Sequence, residues 1–122
     1  MKYDHARETV AQFLGAKKTE IIFTSGTSMS LNMVAYGYGA KYLTKDDEVL
    51  LTQAEHASNV LPWFKCSEMT GCKIGYIPLN EEGRLTVENV QKAITPNTKV
   101  ISIAHVTNVL GFIVPIKEIC KI

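Results

Sequence analysis

Glu20-Ile21-Ile22-Phe23-Thr24-Ser25-Gly26-Thr27-Ser28 decides how this chain is read. A short β-prone run ends in small hydroxyl residues and a glycine, and a helix-like run, Met29 to Ala40, follows at once. Such a turn makes an anion cradle, because glycine lets the backbone approach closely and the first helical N–H groups carry partial positive charge. An ordinary strand-to-helix turn with a serine N-cap is the plain alternative. The cradle lacks the lysine of a P-loop and the three glycines of a dinucleotide fingerprint. A phosphate bound there would belong to neither a nucleoside triphosphate nor a nicotinamide dinucleotide.

Two more polar clusters follow strand-like runs, Glu55-His56-Ala57-Ser58-Asn59 and His105-Val106-Thr107-Asn108-Val109-Leu110-Gly111. Ligands of open α/β sheets bind beyond the carboxyl ends of the strands, so three polar notches at three such ends point to one composite site for a phosphorylated ligand. His56, beyond a buried strand and before a helix start, is placed to stack on an aromatic ligand or to shuttle a proton. His5 has no such setting and reads as a solvated side chain. Asn108 either fixes its own loop or hydrogen-bonds a ligand oxygen.

The alternation of elements sets the fold class. Four strands are expected near 20–24, 48–52, 73–78 and 98–104, giving an α/β fold with a mostly parallel sheet and helices on both faces. Helices are expected over Asp4–Leu14, with Val10, Phe13 and Leu14 inward, and over Ser28–Ala40, with Leu31, Val34, Ala35 and Tyr38 on one face. Ser58 or Asn59 is expected to cap the next helix, with Pro62 in its first turn, Trp63, Phe64 and Met69 packed inward, and Gly71 as its stop. Thr86 caps another, stopped by Pro96, and Pro115 opens a last one whose stripe begins Ile116, Ile119, Cys120.

The 122 residues are 46% hydrophobic and 20% charged, with a formal net charge of +1. That is enough for the core of a single domain spanning 1–122, and it provides no basic stripe for nucleic acid or an anionic membrane. No apolar run is long enough to span a bilayer, and no signal-peptide core follows Met1. Cys66, Cys72 and Cys120 are odd in number and lack CxxC spacing, so they read as reduced, buried cytoplasmic thiols with no metal role. The apolar end at Ile122 and the immediate helical start read as a piece of a longer protein.

Glu20-Ile-Ile-Phe-Thr-Ser-Gly-Thr-Ser, Glu55-His-Ala-Ser-Asn-Val-Leu-Pro-Trp, Ile77-Pro-Leu-Asn and His105-Val-Thr-Asn-Val-Leu-Gly, in that order, resemble the cysteine desulfurases, pyridoxal-phosphate enzymes of the class V aminotransferase group. The match is nearest to the Suf-type, selenocysteine-lyase-like branch and covers about Ala6 to Ile122. The resemblance implies part of the large domain of a fold-type I transferase. It implies that Thr27 and Ser28 hold the cofactor phosphate, that His56 stacks on the pyridine ring and relays protons, and that Asn108 bonds the cofactor's phenolic oxygen. Met29 departs from the pattern, which usually has an acidic residue there.

The resemblance also implies conversion of L-cysteine to L-alanine, a homodimer, a sulfur-acceptor protein and a role in iron–sulfur cluster or thio-cofactor assembly. The family's Schiff-base lysine follows a histidine, and no such pair occurs in this chain. Asp46 and Asp47 precede a strand, at the wrong end of the sheet to serve as the cofactor aspartate. The chain alone is therefore expected to be inactive. A selenocysteine lyase, a kynureninase-like hydrolase and a cofactor-free scaffold are the competing readings.

Overall fold

The computed structural model describes residues 2–122. Its centre is a three-stranded sheet of β1 (Glu48–Thr52), β2 (Lys73–Ile77) and β3 (Thr98–Ile101), ordered β2-β1-β3. Both pairings are parallel: Glu48 to Thr52 run beside Lys73 to Ile77, and Val49 and Leu50 beside Val100 and Ile101, with a register slip between Glu48 and Val49 on the β3 side. Parallel neighbours need crossover connections, supplied here by helices α4 (Ala57–Thr70) and α5 (Val87–Ala93).

The central strand alternates its side chains between two cores. Val49 and Leu51 pack with Ala35, Leu43, Trp63, Cys66 and Cys72. Leu50 faces the other way and joins Ile77, Leu85, Val90, Val114 and Ile119. Helices therefore cover both faces, as β1's unbroken apolar run requires. The first face carries α4 and the long helical run that starts with α2 (Thr27–Val34), passes through a π-helical segment, Ala35–Gly39, and ends in α3 (Ala40–Tyr42). Gly39 lets that run approach α4, because a Cβ there would lie 2.8 Å from Cys66 Sγ and 3.0 Å from Trp63 Cζ3. The opposite face carries α5 and α6 (Ile116–Ile119).

Several local expectations are corrected. No strand forms at 20–24: Lys18–Glu20 is a 3₁₀ turn and the following residues are extended but unpaired. The Ile21 carbonyl accepts instead from Arg7 Nε at 3.0 Å, and Phe23 packs edge-on against Tyr3, so the run lies on α1 (Lys2–Leu14) rather than on the sheet. On α1, Ala11 is the buried residue, while Phe13 and Leu14 are exposed. Val34, Tyr38, Phe64 and Met69 are exposed too: α2 buries no residue fully, and α4 buries only Asn59, Pro62, Trp63 and Cys66. Pro62 is the sixth residue of α4, past the first turn, where it has no N–H to donate to the Ser58 carbonyl. Cys66 and Cys72 are buried as expected, but Cys120, just after α6, is exposed. The third and fourth predicted strands end one and three residues early, at Ile77 and Ile101.

Other signals hold. Gly71 ends α4 in the left-handed region at φ 78°, and the Thr86 hydroxyl caps α5 by accepting from Asn89 N at 3.2 Å. No helix among the described residues is long and apolar enough to cross a membrane.

Candidate functional site

Three segments meet beyond the carboxyl ends of β1 and β3. The first is the turn before α2, where the hydroxyls of Thr24 and Ser30 stand 2.8 Å apart and Ser30 N donates to the Gly26 carbonyl at 3.1 Å. These contacts fix the turn, while the N–H groups of Thr27, Ser28 and Met29 open the helix without intrahelical acceptors. No atom outside the local chain lies within 4 Å of where a Cβ on Gly26 would sit, so the backbone there is open to a ligand.

The second segment joins β1 to α4. His56, rather than Ser58 or Asn59, is the N-cap of α4: its Nδ1 accepts from Ser58 N at 3.1 Å, with the Ser58 hydroxyl 2.8 Å from the same nitrogen. An imidazole holds a lone pair on only one nitrogen when neutral, so this cap places the proton on Nε2. The capping geometry was missed in the sequence because histidine is not among the usual cap residues.

The third segment follows β3. Val106 and Ile113 form an antiparallel bridge, Val114 N donates to the His105 carbonyl at 2.8 Å, and Gly111 closes the loop at φ 69° with its N–H on the Thr107 carbonyl. Asn108 sits at the tip of this small hairpin. Thr107, just before it, has a buried hydroxyl with no hydrogen-bond partner among the described residues.

Thr27, His56 and Asn108 line one cleft of about 280 Å³, together with Leu31, Ser102 and Ile103. Ser28 is not on it. It lines a neighbouring groove with Asn32, Tyr36 and Leu61, although its N–H belongs to the same helix opening. Ala54, Val109 and Leu110 line a second, apolar hollow that shares His56 and Asn108 with the first. The two side chains thus border both spaces.

The sequence reading missed Thr52, Glu55, Asn59 and Ser102 as a set. Glu55 Oε1 accepts from Thr52 Oγ1 at 2.7 Å and from Ala104 N at 3.1 Å, and Oε2 accepts from Asn59 Nδ2 at 2.8 Å. Asn59 Nδ2 also donates to the Ser102 carbonyl, and Ser102 Oγ donates back to Asn59 Oδ1 at 2.6 Å. Glu55 precedes the N-cap of α4 and Asn59 lies in its first turn, so the contact belongs to the helix entrance, not to one helix face.

A cleft with apolar walls and a few convergent polar groups at the ends of parallel strands, opening on a helix N-terminus, accords with the match of residues 1–122 to the aminotransferase class-V family. The chain belongs to that family. A probable cysteine desulfurase of Halalkalibacterium halodurans is 45% identical over 98% of this chain, which covers 30% of that relative. The apo cysteine desulfurase of Thermococcus onnurineus NA1 superposes with a TM-score of 0.90 at 39% identity, again over 98% of this chain and 30% of the other. The Escherichia coli cysteine desulfurase CsdA superposes with a TM-score of 0.91 at 34% identity, with the same coverage. The chain thus spans about a third of the length of the class-V relatives it matches.

Proposed function

We propose that this chain is the N-terminal part of the cofactor-binding large domain of a pyridoxal-phosphate-dependent cysteine desulfurase. The observation that carries the reading is the convergence of Thr27, His56 and Asn108 on one cleft at a helix N-terminus. The residues fit the cofactor. The open backbone at Gly26 and the free N–H groups of α2 suit a phosphate dianion, and the cleft combines apolar walls with a few convergent polar groups. Thr27 and the α2 N–H groups, including that of Ser28, would hold the phosphate, and Asn108 would bond the cofactor's phenolic oxygen.

When bound, pyridoxal phosphate supplies an electron sink for the bonds around the substrate's α-carbon. The chain's own residues bind and orient. His56 offers an imidazole fixed through Nδ1 with its proton at Nε2, suited to stacking on the ring and to exchanging a proton. The polypeptide that completes this site would supply the lysine amine, since no lysine here follows a histidine. The complete protein would convert L-cysteine to L-alanine in the cytoplasm as a homodimer, passing sulfur to an acceptor protein for iron–sulfur cluster or thio-cofactor assembly.

Combining the 122-residue chain with the unmatched remainder of a desulfurase relative, plus pyridoxal phosphate and L-cysteine, tests the reading. Alanine is expected from the pair and none from the chain alone. Undiminished alanine from a His56→Ala, Asn108→Ala double variant would refute the assigned roles.

A further inference from the structure

Glu55 lies beside His56, lines both the cleft and the neighbouring hollow, and takes a set of donors that joins the β1–α4 segment to the hairpin after β3. Its Oε1 takes the Thr52 hydroxyl, at the end of β1, and the main-chain N–H of Ala104, at the base of the hairpin carrying Asn108. Its Oε2 takes Asn59, in the first turn of the helix that His56 caps. Asn59 is 7% exposed and Thr52 2% exposed. Both N–H bonds of the Asn59 amide are used, on Glu55 Oε2 and the Ser102 carbonyl, and its oxygen accepts the Ser102 hydroxyl. Every hydrogen bond of the set has one sense only: the carboxylate accepts three times, and flipping the amide would set oxygen against oxygen at Ser102.

We propose that Glu55 and Asn59 are positioning residues that index the His56 helix and the Asn108 hairpin to one carboxylate, and so set the spacing of the two cleft walls. Among the described residues no cation pairs with Glu55; the four ion pairs all lie elsewhere. The carboxylate is therefore held by neutral, directional donors, which fix position in a way that a mobile lysine would not. Thr52 is the last residue of β1, paired there with Ile77, and Ser102 directly follows β3, so the sheet is the frame against which both segments are aligned. The ligand-binding consequence rests on the cofactor reading above; the alignment itself does not.

The test reverses the polarity of one bond. Asn59→Asp alone sets two carboxylates face to face, whereas Glu55→Gln with Asn59→Asp restores a donor and an acceptor between the same positions, leaving only the Ser102 carbonyl without its donor. Hydrogen exchange of the Ala104 amide in the complete chain reports the hairpin anchor. Val90→Ala, in the opposite core, serves as a destabilised control. Exchange at Ala104 is expected to rise about tenfold or more in Asn59→Asp, a factor set by loss of a charge-assisted bond, and to fall part of the way back in the double variant, which still lacks the donor to the Ser102 carbonyl. Affinity for 4′-deoxypyridoxine 5′-phosphate, which cannot form a Schiff base with stray lysines, is expected to drop and recover in the same order.

A double variant no better protected than Asn59→Asp overturns the proposal. So does a Val90→Ala control that releases Ala104 to the same extent at equal loss of melting temperature. If the exchange pattern holds while the unaltered chain ignores the probe, the alignment stands and the cofactor reading is what fails.

Discussion

The Nδ1 atom of His56 accepts the backbone N–H of Ser58 at 3.1 Å, so one imidazole is both a wall of the cleft and the N-cap of α4. The two roles rest on different atoms and can be separated. His56→Ala removes both, costing about 1 kcal/mol of stability for the cap together with the ring face offered to a ligand. His56→Asn keeps a capping acceptor and loses only the ring. Urea denaturation is expected to show His56→Asn near the unaltered chain and His56→Ala below it, while both lose affinity for 4′-deoxypyridoxine 5′-phosphate. Equal stability of the two variants would show that the cap contributes nothing.

Gly39 sits in the π-helical segment with Cys66 Sγ and Trp63 Cζ3 at 2.8 and 3.0 Å from the place of a Cβ. Alanine has the better helix propensity by up to about 1 kcal/mol, but overpacking a core costs about 1–3 kcal/mol. Gly39→Ala is therefore expected to destabilise. Adding Cys66→Ala vacates the sulfur's space, so the pair should be less destabilised than the sum of the singles by at least about 0.5 kcal/mol. Strict additivity in a double-mutant cycle would count against the contact.

Asp47 accepts from Thr44 N at 2.8 Å and from Thr44 Oγ1 at 2.9 Å, in the turn that leads into β1. The main-chain bond, then the hydroxyl, hold its carboxyl below the usual range. A carboxyl whose folded pKa lies below its unfolded value stabilises the fold above the unfolded value, near 4. That contribution fades as pH falls through the folded value. Asp47→Asn removes the titration, so its urea midpoint should fall less than that of the unaltered chain between pH 5 and 2.5. Parallel curves would remove Asp47 from the acid response.

The two-faced parallel sheet was legible because β1 is an unbroken apolar run bounded by turns, and its limits were read to the residue. Helix stops at Gly15 and Gly71 were legible for a similarly local reason, a backbone conformation that glycine reaches without strain. Ile21–Thr24 misled because strand propensity cannot say whether a partner strand is at hand, and here Arg7 and Tyr3 take its place. The two cleft segments after β1 and β3 could be placed by their position after strands, which is a rule of topology, whereas the turn before α2 follows no strand. The side-chain direction of Ser28, aimed to the next groove, depends on helix phase and lay beyond that rule. The Glu55–Asn59–Ser102 set joins residues 43 apart, and no local pattern announces such a contact.

The three thiols differ in access. Cys66 is fully buried between Gly39 and the sheet, Cys72 is 1% exposed, and Cys120 follows the short helix α6 in the open. Burial also pushes the Cys66 thiol up from its ordinary pKa, with the neighbouring Cys72 adding to the effect. Disulfide exchange needs both access and thiolate, so Cys66 is doubly protected. Ellman's reagent at pH 8 is expected to label one thiol quickly in the native chain and all three in 6 M urea, with mass spectrometry placing the fast label on Cys120. Slow labelling of the other two would follow the opening of the core, so it should accelerate in Gly39→Ala, which strains the packing around Cys66. Cys120 lines neither hollow that contains His56, so modifying it should leave binding of 4′-deoxypyridoxine 5′-phosphate unchanged. Fast labelling of Cys66 in the native chain would mean that α4 and the sheet part far more readily than their packing implies.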